Sequence, residues 1–136
     1  MIKLLLALSY ALTPSVPGHL CSINNPDFIE YRYQERIPYC ERNVSRETKA
    51  WIYERSGVPM KERDEYTIDH IIPLAIGGSN EAENLWPEHK KVKALRPDLE
   101  RELYVELRDN RIDQACAIWI VKKAKYDLKV DWDCPD

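Results

Sequence analysis

Residues 69–87 read Asp-His-Ile-Ile-Pro-Leu-Ala-Ile-Gly-Gly-Ser-Asn-Glu-Ala-Glu-Asn-Leu-Trp-Pro, and the reading of the whole chain turns on them. Asp69 and His70 are neighbours in a β-prone run, Tyr66 to Ile72, with charge before it and Pro73 after it. Leu74 to Ile76 is expected to pair back on that run across an irregular loop. Gly77-Gly78 supplies the positive-φ turn positions. Asn84 follows His70 by fourteen positions, and helical periodicity resumes after Pro87, in a helix expected to carry His89. Successive side chains on a strand point to opposite faces, so only a strained or bulged strand end would bring Asp69 and His70 to one site.

A carboxylate beside an imidazole suits one kind of chemistry well. Hydrolysing a phosphodiester requires a deprotonated water aimed in line, neutral surroundings for charge growing on phosphoryl oxygens, and a stabilised leaving oxygen. An imidazole that titrates near neutrality serves the first need. A divalent cation serves the other two. Taken singly, neither histidine carries that reading: a histidine on an apolar strand is usually a satisfied core side chain, and His89 among lysines is usually solvated. Their grouping with Asp69 and Asn84 in one short segment, in this order, carries it.

That grouping resembles the ββα-metal core of the HNH (His-Me finger) nucleases, over roughly residues 64–100, about a quarter of the chain. The resemblance implies an α+β fold: a β-hairpin followed by a helix, with flanking helices. It implies that His70 is the general base, that Asp69 is a metal ligand, and that Asn84 pins the loop and orients the base. A further ligand is expected on the helix after Asn84. His89 is the leading carrier, with Asn84 itself the other, because the position nine residues beyond Asn84, where some subfamilies keep a histidine, holds Lys93. The implied cofactor is one divalent metal, Mg²⁺ first, with Mn²⁺, Zn²⁺ or Ni²⁺ also compatible with carboxylate and imidazole donors.

Beyond the motif, 136 residues with 44% apolar and 32% charged side chains describe one globular domain. A formal net charge of −3 excludes a global positive field, so any nucleic-acid contact must be local. Lys90, Lys91, Lys93, Arg96 and Arg101 cluster after the motif; such a run is ordinarily a solvated helix face, but beside a metal site it suits phosphate backbone. Lys90, Lys93 and Arg96 are the expected contacts. Trp51 and Trp119 are expected in the core, and Trp86 under the hairpin.

Lys3, the apolar run Leu4 to Leu12 and the small and Pro residues after it read as an export signal over 1–18, cut after Ala11 or, favoured, Gly18. The run is too short to span a bilayer. The mature chain, 19–136, is then a periplasmic or secreted protein with no membrane attachment. Cys21, Cys40, Cys116 and Cys134 form no metal-type pair, and export makes two disulfides the expectation. Cys21–Cys134 and Cys40–Cys116 are the expected pairings, the first joining the mature ends and the second flanking the motif.

The remaining elements read as an irregular lead-in over 22–40 with a turn of helix near Phe28 to Tyr33, and a helix capped by Ser45 and stopped at Gly57. Two amphipathic helices follow, one ending near Asp109 and one over Asp113 to Lys125. The expected function is a metal-dependent endonuclease with little sequence preference, monomeric, acting on DNA in preference to RNA. The alternative is a secreted, non-catalytic binding module on a degenerate ββα scaffold.

Overall fold

The computed structural model describes residues 13–136. The apolar segment Leu4 to Leu12 of the expected export signal lies outside the described residues. Residues 13–18 lie partly within the fold: Pro14 is buried, Gly18 N–H donates to the Glu83 carbonyl, and the Tyr126 hydroxyl donates to the Val16 carbonyl. A chain beginning at His19 lacks these contacts.

The chain is a small α+β fold with two separate antiparallel hairpins. The first pairs β1 (Phe28–Arg32) with β2 (Ile37–Cys40), with a register irregularity between Phe28 and Glu30. This corrects the irregular lead-in and its expected helical turn. Tyr31, Tyr33, Tyr39 and Ile37 are β-formers, and positive φ at Tyr33 and Arg36 closes the turn that the sequence gives no glycine to mark. Helix α1 (Arg46–Arg55) begins as expected at Ser45, whose hydroxyl accepts from Thr48 N–H at 3.1 Å.

The second hairpin pairs β3 (Tyr66–His70) with β4 (Leu85–His89). Leu74–Ile76, expected to be the return strand, is instead a 3₁₀ turn: β3 has already ended at His70, and Pro73 cannot donate to a ladder. Gly78 shows why the loop tolerates no side chain: a Cβ there would sit 1.7 Å from the Ile72 carbonyl oxygen. His89 is the last residue of β4, so the helix expected to carry it starts one residue later, as the single turn α2 (Lys90–Lys93).

Both faces of β4 are covered. On one face Leu85 and Ile68 pack with Ile52 of α1. On the other, Trp86 joins the main core with Leu99, Leu103 and Leu107 of α3 (Leu99–Arg108) and Ala117, Ile120, Val121 and Ala124 of α4 (Gln114–Tyr126). The inward sets of these two helices follow the sequence periodicity, and Trp86 lies where it was expected. Trp51 does not: it is exposed, with the Arg55 guanidinium over its ring.

The disulfides are Cys21–Cys40 and Cys116–Cys134, which corrects the expected pairing. Segment 18–21 joins the Gly77–Ser79 loop, through a Leu20–Gly78 bridge, and runs past the end of β2. The C-terminal tail folds back on α4 instead of reaching the N-terminus. Loops closed over separations of 19 and 18 residues stabilise by about 3 kcal/mol each in the chain-entropy account. The disulfides point to an oxidising, extracellular environment. Among the described residues no helix is long and apolar enough to cross a membrane.

Candidate active site

Strand pairing fixes where each motif residue goes. Tyr66 pairs with His89, Asp69 with Trp86 and His70 with Leu85. His70 therefore shares a face with Leu85 and His89, toward α1 and the first hairpin. Asp69 shares the opposite face with Trp86 and Glu88, toward α2 and α4. The two motif side chains flank the last rung of the hairpin from either side.

His89 does not join them. It lies at the far end of the hairpin from His70, four residues along the strand or ~13 Å, and on the opposite face from Asp69. Its Nδ1 caps α2 by accepting Lys91 N–H at 3.1 Å, and its ring stands edge-on to Tyr66. The expected sharing of one ion by Asp69 and His89 is thus not the arrangement found, because the odd spacing between their pairing partners separates them across the sheet. Among the described residues no three His, Cys, Asp or Glu side chains cluster as a metal cage.

Asn84 does what a loop clamp must. Fully buried, its amide accepts Ile72 N–H at 2.9 Å and His19 N–H at 3.3 Å, and donates to the Ile72 and Ser79 carbonyls at 3.0 and 2.8 Å. It ties both ends of the 72–79 loop to the residue that precedes β4. At the other end of that loop Asn80 comes back to His70, with its Oδ1 3.0 Å from the imidazole Nε2.

The Asp69 carboxylate accepts the Thr67 hydroxyl at 2.8 Å and the Lys93 ammonium at 3.0 Å. Lys93 is half exposed, so the pair is a solvated contact of small energy. Its geometry is more informative than its strength: the turn after β4 returns residue 93 to Asp69. Arg96 is different. Its side chain is 7% exposed and bonded to Glu88, itself buried, so its expected role as a phosphate contact does not fit its position. Lys90 is exposed on α2.

Several site residues escaped the sequence reading. Lys125, wholly buried on α4, donates to the His70 and Ile71 carbonyls at 2.6 and 2.9 Å and so caps the end of β3. Burial pulls its ammonium down to about 8. Burial also pushes the Glu88 carboxyl up, against the pull of Arg96 and Lys125. Exposed Arg42 is close enough to His70 to act on its charge. Glu41 accepts a hydrogen bond from Asn80 through its backbone carbonyl. No local motif marks these residues; Lys125, Arg42 and Glu41 arrive from outside the 64–100 segment, and Glu88 lies within it on β4.

Burial lowers both His70 and His89 below the ordinary histidine value of 6.5; the Asn80 hydrogen bond opposes this at His70, as the Glu65 charge does at His89. The folded protein therefore holds the imidazoles neutral where the unfolded chain takes up protons. Their contribution to stability is full above 6.5 and is lost as pH falls through that value toward the folded pKa. Urea unfolding should give a lower midpoint at about pH 5.5 than at about pH 7.5. An equal or higher midpoint at the acidic pH contradicts the assignment of two buried neutral imidazoles.

Comparison with family models, with curated protein sequences and with solved structures gives no match to this chain. The class defined by the fold is a small, disulfide-braced α+β protein with two hairpins.

Proposed function

We propose that this chain is an exported phosphodiesterase of the HNH type that cuts nucleic acid, DNA in preference to RNA, with little sequence preference. One observation carries the proposal. A hairpin clamped by Asn84 ends on Asp69 and His70, one on each face of the strand, and the helical turn that follows brings the Lys93 ammonium to 3.0 Å from the Asp69 carboxylate. A hairpin followed by a helical turn is the order of elements that the motif implies.

His70 is the general base: lowered by burial, its imidazole is unprotonated at neutral pH and able to take a proton from water. Asp69 lies on the other face of the strand end, so the scissile phosphate has to sit beyond the last rung of the hairpin to meet both side chains. Arg42, Lys90 and Lys93 are the exposed cations for the flanking phosphates, which predicts salt-sensitive, sequence-independent binding.

The donor set fits a loosely held hard cation and not a closed imidazole cage. Mg²⁺ is commonly held by one or two carboxylates, with water and substrate phosphate completing its shell. Asp69 is the residue that would hold it, in exchange for the exposed Lys93 ammonium. When bound, such an ion neutralises phosphoryl charge and stabilises the leaving oxygen.

Lys93→His tests the placement. The new imidazole beside Asp69 should tighten Mn²⁺ binding at least roughly tenfold by calorimetry, about 1.4 kcal/mol. Unchanged affinity means that residue 93 does not border the cation position.

The activity test is nicking of supercoiled plasmid with Mg²⁺ or Mn²⁺, its arrest by EDTA, and a parallel panel on RNA. Intact plasmid and RNA under every metal would favour the second reading, a secreted binding module. The engagement of both Asp69 oxygens by Thr67 and Lys93 is the observation on its side.

A further inference from the structure

The Asn80 side chain forms four hydrogen bonds, and together they fix which way its amide points. Its Nδ2 donates to Asp27 Oδ2 at 2.9 Å and to the Glu41 carbonyl at 2.8 Å; both of these partners can only accept. Its Oδ1 receives Asn43 N–H at 3.1 Å, and Asn43 N–H can only donate. Turning the amide over would set donor against donor at Asn43 and acceptor against acceptor at Asp27 and Glu41. The atom that faces His70 Nε2 at 3.0 Å is therefore an oxygen, and a carboxamide oxygen has no proton to give.

We infer that Asn80, backed by Asp27 and Asn43 of the first hairpin region, is a positioning residue that holds His70 in the Nε2–H tautomer and leaves the Nδ1 lone pair as the proton acceptor. Nδ1 makes no hydrogen bond to a described residue, and His70 keeps 7% of its surface exposed. The assignment deepens the reading of His70 as a base and rests on it for its catalytic meaning.

The relay also explains why a second hairpin lies beside the motif. Asp27 is fixed from several sides: its N–H donates to Asn25 Oδ1 at 2.9 Å, its carbonyl accepts Glu41 N–H at 3.0 Å, and its Oδ1 accepts the Asn43 amide at 2.8 Å. The Cys21–Cys40 disulfide braces the adjoining end of β2. A ring bonded at one nitrogen to a group held this firmly has both its tautomer and its tilt set before substrate arrives.

The experiment is a long-range ¹H–¹⁵N correlation on disulfide-intact, ¹⁵N-histidine-labelled protein at mildly alkaline pH, with His70→Ala used to assign the signals. The expected His70 pattern is a protonated Nε2 and an unprotonated Nδ1. A protonated Nδ1 overturns the assignment, whether or not the protein cuts nucleic acid. Asn80→Ala should move both nitrogens toward the averaged shifts of exchanging tautomers. It should lower kcat roughly 10- to 100-fold, as loss of an orienting partner does elsewhere, with KM within about twofold. An unchanged wild-type pattern and kcat in that variant overturns the positioning role. If Asn80→Ala does not fold, the wild-type spectrum still decides the tautomer. The expected spectrum from a protein that cuts nothing upholds the relay and defeats the nuclease reading separately.

Discussion

His70→Ala should lower plasmid nicking at least roughly 100-fold, the range a positioned general base supplies, while leaving the protein folded. The two halves of that expectation have different physical sources. The imidazole is bonded to one side chain, Asn80, whose oxygen keeps its Asn43 donor when the ring is gone. The carbonyl of residue 70 stays capped by Lys125, and the backbone pairing with Leu85 is untouched. Stability should therefore fall by about 1 kcal/mol for the lost hydrogen bond, plus the cost of a small cavity. Nicking at the native rate by a folded His70→Ala protein removes His70 as the base.

Asn84→Ala is expected to be the most damaging single change to the fold in this segment. Four hydrogen bonds vanish together, and three of them join the two ends of the 72–79 loop. At about 1 kcal/mol net for each bond, and more for buried groups left unpaired, the loss is on the order of 4 kcal/mol. That is a large share of the 5–15 kcal/mol typical of a domain. Activity should fall as well, since Asn80 follows directly on that loop and its partner His70 sits at the strand end. Urea unfolding measures the first effect; a change below about 1 kcal/mol would show that the amide is not the clamp.

Much of the local structure could be read directly from residues. The apolar stripes of α3 and α4, the Ser45 cap and Asn84 announce themselves through spacing within a few positions; of the two turn glycines only Gly77 takes positive φ, and Gly78 is needed for its close approach to Ile72. What the sequence concealed is long-range. The return strand was misread because Leu74 to Ile76 is as β-prone as Leu85 to His89; only the Pro73 break and the close approach of Gly78 to Ile72 distinguish them. The first hairpin turns through positive φ at Tyr33 and Arg36, residues that carry no turn signal. Arg96 read as a surface cation because it stands in a basic run that is ordinarily a solvated helix face, and nothing local marks Glu88 as its buried partner. His89 was assigned to the ion because it was expected on a helix: moving it from helix to strand moved it to the wrong face. Asn80 and Asp27 could not have been paired by inspection, since more than fifty residues separate them.

Both disulfides join cysteines that are consecutive along the chain, and neither encloses the 64–100 segment. A chain delivered N-terminus first can therefore oxidise Cys21 with Cys40 before Cys116 has emerged, and the last two thiols then have only each other. Maturation on that schedule needs an electron acceptor but no shuffling catalyst. It also leaves the central hairpin free of covalent ties.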